Sequence, residues 1–117
     1  MAGWTKTEAR RRMRVAAKIG AEHLGYQRAG ALVEVGMRRM VAKGATVEEA
    51  KAARAANEAA GDDHVDFARG GEYVPEEGEL LHLYVRPKMI GDLYHDFDTI
   101  VVWVGAGDQQ PAIVTRY

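Results

Sequence analysis

The chain contains no cysteine. Disulfide frameworks, thiolate zinc sites and cysteine nucleophiles are therefore excluded, and the absence fits a reducing compartment. It also has no apolar run near the eighteen or so residues that a membrane-spanning helix needs, because Arg, Lys, Glu or Asp interrupts every candidate stretch. The basic start, Met1 to Lys18, lacks the uninterrupted apolar segment of a secretory signal. It reads as part of the fold, with a cytoplasmic location as the default. No phosphate-binding P-loop, Gly-x-Gly-x-x-Gly turn or Gly-x-Ser-x-Gly elbow occurs. Internal repeats are absent too, which removes the solenoids.

What is present is 117 residues, the size of one ordinary domain, for which folding buries roughly two thirds of the unfolded chain's surface. The expected organisation is a single domain, 1–117, with a helical half (1–60), a connector (61–79) and a β half (80–117). The net charge of −1 conceals an asymmetry. Residues 1–60 carry 12 Lys/Arg against 6 acids, and residues 61–117 carry 4 against 11, so the halves come to +6 and −7. Such a dipole either closes on itself within the fold or supplies two faces for different partners.

Thr5-Lys6-Thr7-Glu8 has the spacing of a capping box, in which hydroxyl and carboxylate each satisfy an orphaned backbone donor. A first helix should start there, carry Ala9, Met13, Ala16, Ala17, Gly20 and Leu24 at spacings of three and four, and stop at Gly25. A second helix is expected over Ala29 to Lys43, with Leu32, Val35, Gly36, Met40 and Val41 as its stripe and Gly44 as its cap. Thr46-Val47-Glu48-Glu49 is another capping box, opening an alanine-rich third helix from Val47 to Ala60. The connector is rich in turn formers, with a short strand expected around Glu72 to Val74. The period then changes to two. Leu80 to Arg86, Thr99 to Val104 and Ala112 to Tyr117 read as strands, the last two joined as a hairpin through Gly105 to Gln110. Helices first and strands afterwards indicate an α+β fold, amino-terminal helices packed on a small carboxy-terminal antiparallel sheet.

Alternation places Leu81, Leu83 and Val85 on one face of the first of these strands and His82, Tyr84 and Arg86 on the other. In the last strand Ile113, Thr115 and Tyr117 should share a face. If Thr115 and Tyr117 meet His82 and Arg86, four polar groups suited to metal-free phosphodiester cleavage converge: a base or acid, a phosphate clamp and two hydroxyl donors. The competing reading is an amphipathic strand whose solvated face happens to be polar. Arg10, Arg11, Arg14 and Lys18 form a basic helix face that would hold RNA, or alternatively a solvated face or the internal partner of the acidic half. Asp62-Asp63-His64-Val65-Asp66 and His95-Asp96-Phe97-Asp98 hold metal-ligand types but no recognised site spacing, so no metal and no cofactor are expected.

The ending Pro111-Ala112-Ile113-Val114-Thr115-Arg116-Tyr117, after Thr99-Ile100-Val101-Val102-Trp103-Val104, resembles the terminal hairpin of small bacterial and phage ribonuclease toxins. That is the barnase-like and RelE-like grouping, which includes the ribonuclease A-like toxins of contact-dependent inhibition systems. The resemblance covers about the last forty residues, and it implies a Thr-x-Tyr pair, matched by Thr115 and Tyr117, that joins His and Arg in an active site. His23-Leu24-Gly25 fits the His-x-Gly context of the ribonuclease A-like toxins. The arginine expected downstream falls at Glu34, so Arg28 or Arg38 would have to replace it. The function so implied is a metal-independent endoribonuclease, a toxin or mobile-element effector, with RNA as substrate, a cognate inhibitor as partner and His23 as the alternative catalytic histidine. The other reading is a non-catalytic assembly or binding protein, such as a virion component or inhibitor, docking through its charge dipole. Under either, no membrane is involved and a homo-oligomer stays open.

Overall fold

A computed structural model describes residues 3–26, 33–59, 64–66, 74–87 and 98–116. Helix α1 spans Lys6–His23. Its start is the expected cap: Thr5 has an extended backbone, and its side chain accepts from the Glu8 N–H at 3.1 Å. Its end follows from Gly25, whose φ of +98° lets the Gly25 N–H reach the Glu22 carbonyl and the Tyr26 N–H reach the Ala21 carbonyl, both at 2.9 Å.

The segment expected to be a second helix is instead strand β1, Val33–Lys43. Its apolar residues alternate, but to both sides: Val35 and Met37 pack into one core, Met40 and Ala42 into the other. A strand that buries one face at one end and the other face at the other end leaves apolar spacings of two and three. Without the pairing partners these mimic a helical stripe. Helix α2, Val47–Ala59, starts as expected, with the Glu49 N–H donating to Thr46 Oγ1 at 3.1 Å and the Glu49 carboxylate accepting from the Ala45 N–H at 2.8 Å.

The connector's strand is β2, His64–Asp66. Val74 belongs to no strand, and Glu72 and Tyr73 lie outside the described residues. Strands β3 (Glu79–Pro87), β4 (Asp98–Trp103) and β5 (Ala112–Arg116) follow the expected runs, with Tyr117 outside the described residues. The sheet order is β2-β1-β3-β4-β5, with every neighbouring pair antiparallel. The fold is α+β. β4 and β5 form the expected hairpin, Val102 opposite Ile113, through a turn in which Gly105 and Gly107 take positive φ.

The two helices lie on opposite faces. Met13, Ala16 and Ala21 of α1 pack on Leu81, Leu83, Val85, Ile100, Val102 and Val104. Ala50 of α2 packs on Met40, Leu80, Val101 and Trp103. A central sheet covered on both sides accounts for the almost unbroken burial of Leu80–Leu83 and Ile100–Val104. Below α2 three chain segments touch: the Gly44 N–H donates to the Gly78 carbonyl at 2.9 Å, and the Gly78 N–H donates to the Gly105 carbonyl at 2.7 Å. Trp103 closes this junction by donating its indole N–H to the Gly44 carbonyl at 2.9 Å.

Candidate functional site

On the α2 face of the sheet, past the apolar cluster, the strands turn polar. Cross-strand register sets Arg38 of β1 opposite His82 of β3, which is in turn opposite Val101 of β4. One pair further along, Tyr84 sits between Gly36 and Thr99, and Arg86 is opposite Glu34. The His82 and Tyr84 rings stack at 4.6 Å between centroids and 26° between planes. The Tyr84 hydroxyl is 3.3 Å from His82 Nδ1. It donates there whenever that nitrogen carries no proton. Gly36 puts no side chain across from Tyr84, and the guanidinium of Arg38 lies 5.9 Å from the centre of the Tyr84 ring, in cation–π range. Arg38 is exposed, Tyr84 and Arg86 are half-buried, and His82 is only 8% exposed.

Helix α2 lies over this face and turns polar in step. Its buried side begins with Ala50 and continues with Arg54 and Asn57, and Arg54 approaches Glu58 at 3.4 Å. Residues of this kind can hold an anion: guanidinium groups for phosphate, an aromatic ring for a base, and an imidazole for proton transfer.

His82 and Arg86 thus share the expected face, but His82 is buried, contrary to its place among solvated residues in the sequence reading. Thr115 is opposite Val101, so the backbone aligns Arg38, His82, Val101 and Thr115 across four strands. The side chain of Thr115, expected to share a face with Ile113, lies outside the described residues. A register shift sets Val102 opposite Ile113 and Val101 opposite Thr115, two residues of β5 against one of β4, and such a bulge puts neighbouring positions out of phase. Tyr117 and Arg28 lie outside the described residues. His23 is exposed in the last turn of α1, the helix on the opposite face, so it does not join His82.

The basic residues of α1 separate into two groups. Arg11 and Arg12 both bind Glu8, at 2.7 Å and 2.8 Å, and hydrogen bonding to the two guanidinium groups lowers the Glu8 pKa to about 2. Arg12 is buried and reaches the carbonyls of Gln109 at 2.6 Å and Gly107 at 3.0 Å. Arg14 and Lys18 are exposed and Arg10 is half-buried. Among the described residues the ion pairs from the basic half to the acidic half come from β1 instead: Arg39 pairs with the fully buried Glu79 at 2.5 Å, and Lys43 pairs with Glu76.

Sequence reasoning named Arg38 only as a substitute for the arginine expected at Glu34, and it did not set Arg38 beside His82 because its segment read as helical; it missed Arg54 and Asn57, because an alanine-rich helix gives little sign of which side is buried. Of the two acidic segments, only Asp98 has a described side chain, and it accepts from the Tyr26 hydroxyl at 3.0 Å. Among the described residues no group of three or more His, Asp or Glu could hold a metal ion, and no helix is long and apolar enough to cross a membrane. In comparisons with known proteins, no family model, no curated protein and no solved structure matches the chain.

Proposed function

We propose that the polar part of the α2 face acts on RNA as a metal-independent endoribonuclease. The observation that carries this reading is the set Arg38, His82 and Tyr84, joined by stacking, a hydrogen bond and a cation–π contact on neighbouring strand positions, with Arg86 two residues further along. In this mechanism Tyr84 stacks against a base, while Arg38 and Arg86 neutralise the phosphate. His82 takes the proton of the ribose 2′-hydroxyl. That oxygen then attacks phosphorus, the bond to the 5′-oxygen breaks, and the departing oxygen takes a proton from solvent water, leaving a cyclic phosphate and a 5′-hydroxyl. Burial of His82 requires the Tyr84 ring to shift before the imidazole meets substrate.

The test is incubation of the purified protein with a mixed-sequence RNA in the presence of a chelator. Cleavage is expected, along with its loss in His82→Ala and a drop of at least a hundredfold in Arg86→Gln, the scale on which a lost charge-stabilising donor acts. RNA left intact with and without divalent ions refutes the reading. The same burial favours a second reading, a non-catalytic binding or assembly protein, in which Arg38, Tyr84 and Arg86 meet a partner and His82 is only their support. In that case His82→Ala weakens partner binding and stability together, and no RNA is cut.

A further inference from the structure

The second charged surface lies on the other side of the molecule. Lys6, Arg10, Arg14 and Lys18 recur every four residues along α1, so their side chains stack in one row spanning about 18 Å of helix. The residues that α1 buries are Ala9, Arg12, Met13, Ala16, Gly20 and Ala21, none of them in the row. Lys6, Arg14 and Lys18 are exposed, and among the described residues none of the four cations makes an ion pair. The helix carries two carboxylates. Glu8 is held by Arg11 and Arg12, and Glu22 lies past the end of the row. Four like charges at a separation of about 6 Å repel one another, and the one carboxylate of the helix at i,i+4 spacing from the row is Glu22, one turn beyond Lys18 at its end.

We propose that this row is a docking surface for the phosphodiester backbone of a nucleic acid, separate from the face that holds His82. A line of evenly spaced cations, with no acids interleaved, matches a line of evenly spaced phosphates. The mixed charges of a protein surface match it less well. Because α1 and His82 lie on opposite sides of the sheet, the surface binds without regard to the 2′-hydroxyl and independently of cleavage.

The test uses 2′-deoxy oligonucleotides, single-stranded and duplex, and their RNA counterparts, with binding followed by fluorescence anisotropy at several salt concentrations. DNA lacks the nucleophile, so its binding is read apart from any cleavage. Four phosphate contacts predict a slope of log K against log salt of about −2.8 for a single strand and about −3.6 for a duplex. Between 50 and 200 mM salt these slopes correspond to losses of about 50-fold and about 150-fold. The combined variant Arg10→Gln, Arg14→Gln, Lys18→Gln should bring the slope below about −1 in magnitude, and Arg14→Gln or Lys18→Gln alone should lower it by about 0.7 to 0.9. Glutamine is nearly as good a helix former as arginine or lysine, so these variants should keep the parent's circular dichroism spectrum. Failure of the parent to bind any of the oligonucleotides at 50 mM salt overturns the proposal. So does an unchanged slope in folded variants, or self-association that the triple variant abolishes in the absence of oligonucleotide binding.

Discussion

Arg12 shows what a single position in the run Arg10 to Arg14 can do. Its guanidinium is buried, stacks 5.2 Å from the Trp4 ring centre, and bonds the Gly107 and Gln109 carbonyls of the β4–β5 turn, while Trp4 donates its own indole N–H to Gly107 at 3.2 Å. Hydrogen bonds involving a charged partner contribute about 1.5 to 3 kcal/mol each. Arg12→Gln should therefore lower the unfolding free energy by about 2 to 4 kcal/mol in urea titration, whereas the exposed Arg11→Gln should leave the midpoint unchanged. Four arginines in five positions look alike in sequence, and only the turn folding back onto α1 distinguishes Arg12. Arg39 is a second such case. Its removal in Arg39→Met leaves the buried Glu79 carboxylate without this cation, and broken buried pairs cost about 3 to 5 kcal/mol. Tyr26 bears on pH. Burial, then its bond to Asp98, raises its pKa above the ordinary value of 10.0. The fold therefore favours the neutral phenol, and the associated stability is full below pH 10 and is lost as pH rises through the higher folded value. Tyr26→Phe should remove that alkaline decline, which thermal melts between pH 9 and 11 would detect.

The elements differ in how much of them the sequence displays. Both threonine N-caps, the Gly25 stop and the β4–β5 turn were legible because each is a local arrangement whose hydrogen bonds lie within about six residues, although the Glu8 carboxylate binds Arg11 and Arg12. β1 was not, since the alternation of Val35, Met37, Met40 and Ala42 makes sense only against α1 on one side and α2 on the other. Register was equally hidden: the bulge opposite Val101 and Val102 decides which β5 positions align with His82, and nothing in Ala112 to Tyr117 announces it. Close approach between elements is the last such feature. A methyl group at Gly44 would collide with the Ala50 backbone nitrogen of α2, and one at Gly20 would lie 2.5 Å from Leu83 Cδ1 and 3.2 Å from Val102 Cγ1. The first obstacle is backbone and cannot yield by changing rotamer; the second is the end of a side chain. Gly44→Ala should therefore cost more than Gly20→Ala, at or above the upper end of the usual 1 to 3 kcal/mol for overpacking. Chemical denaturation of the two variants side by side checks the order.

At the scale of the whole molecule, two cationic surfaces are held apart by a sheet with a helix on each face. The charge asymmetry between the halves is only partly internal, since β1 ties Arg39 to Glu79 and Lys43 to Glu76 while Lys6, Arg14 and Lys18 of the row are exposed and Arg10 is half-buried. That layout makes a kinetic statement about the proposed cleavage. A residue at the reacting phosphate acts on the transition state and should alter kcat, whereas a remote contact that holds substrate and transition state equally should alter KM alone. Arg86→Gln belongs to the first class. The triple variant of Arg10, Arg14 and Lys18 belongs to the second, on an RNA long enough to pass around the edge of the sheet and engage both surfaces. Its KM should rise most at low salt and converge on the parent's as salt screens the row, with kcat unchanged. On an oligonucleotide of three or four residues, too short to leave the α2 face, the triple variant and the parent should have the same kcat/KM. A fall in kcat in the triple variant on this short substrate would mean that the α1 row touches the reacting phosphate. The separation of the two surfaces by the sheet would then not describe how the protein handles RNA.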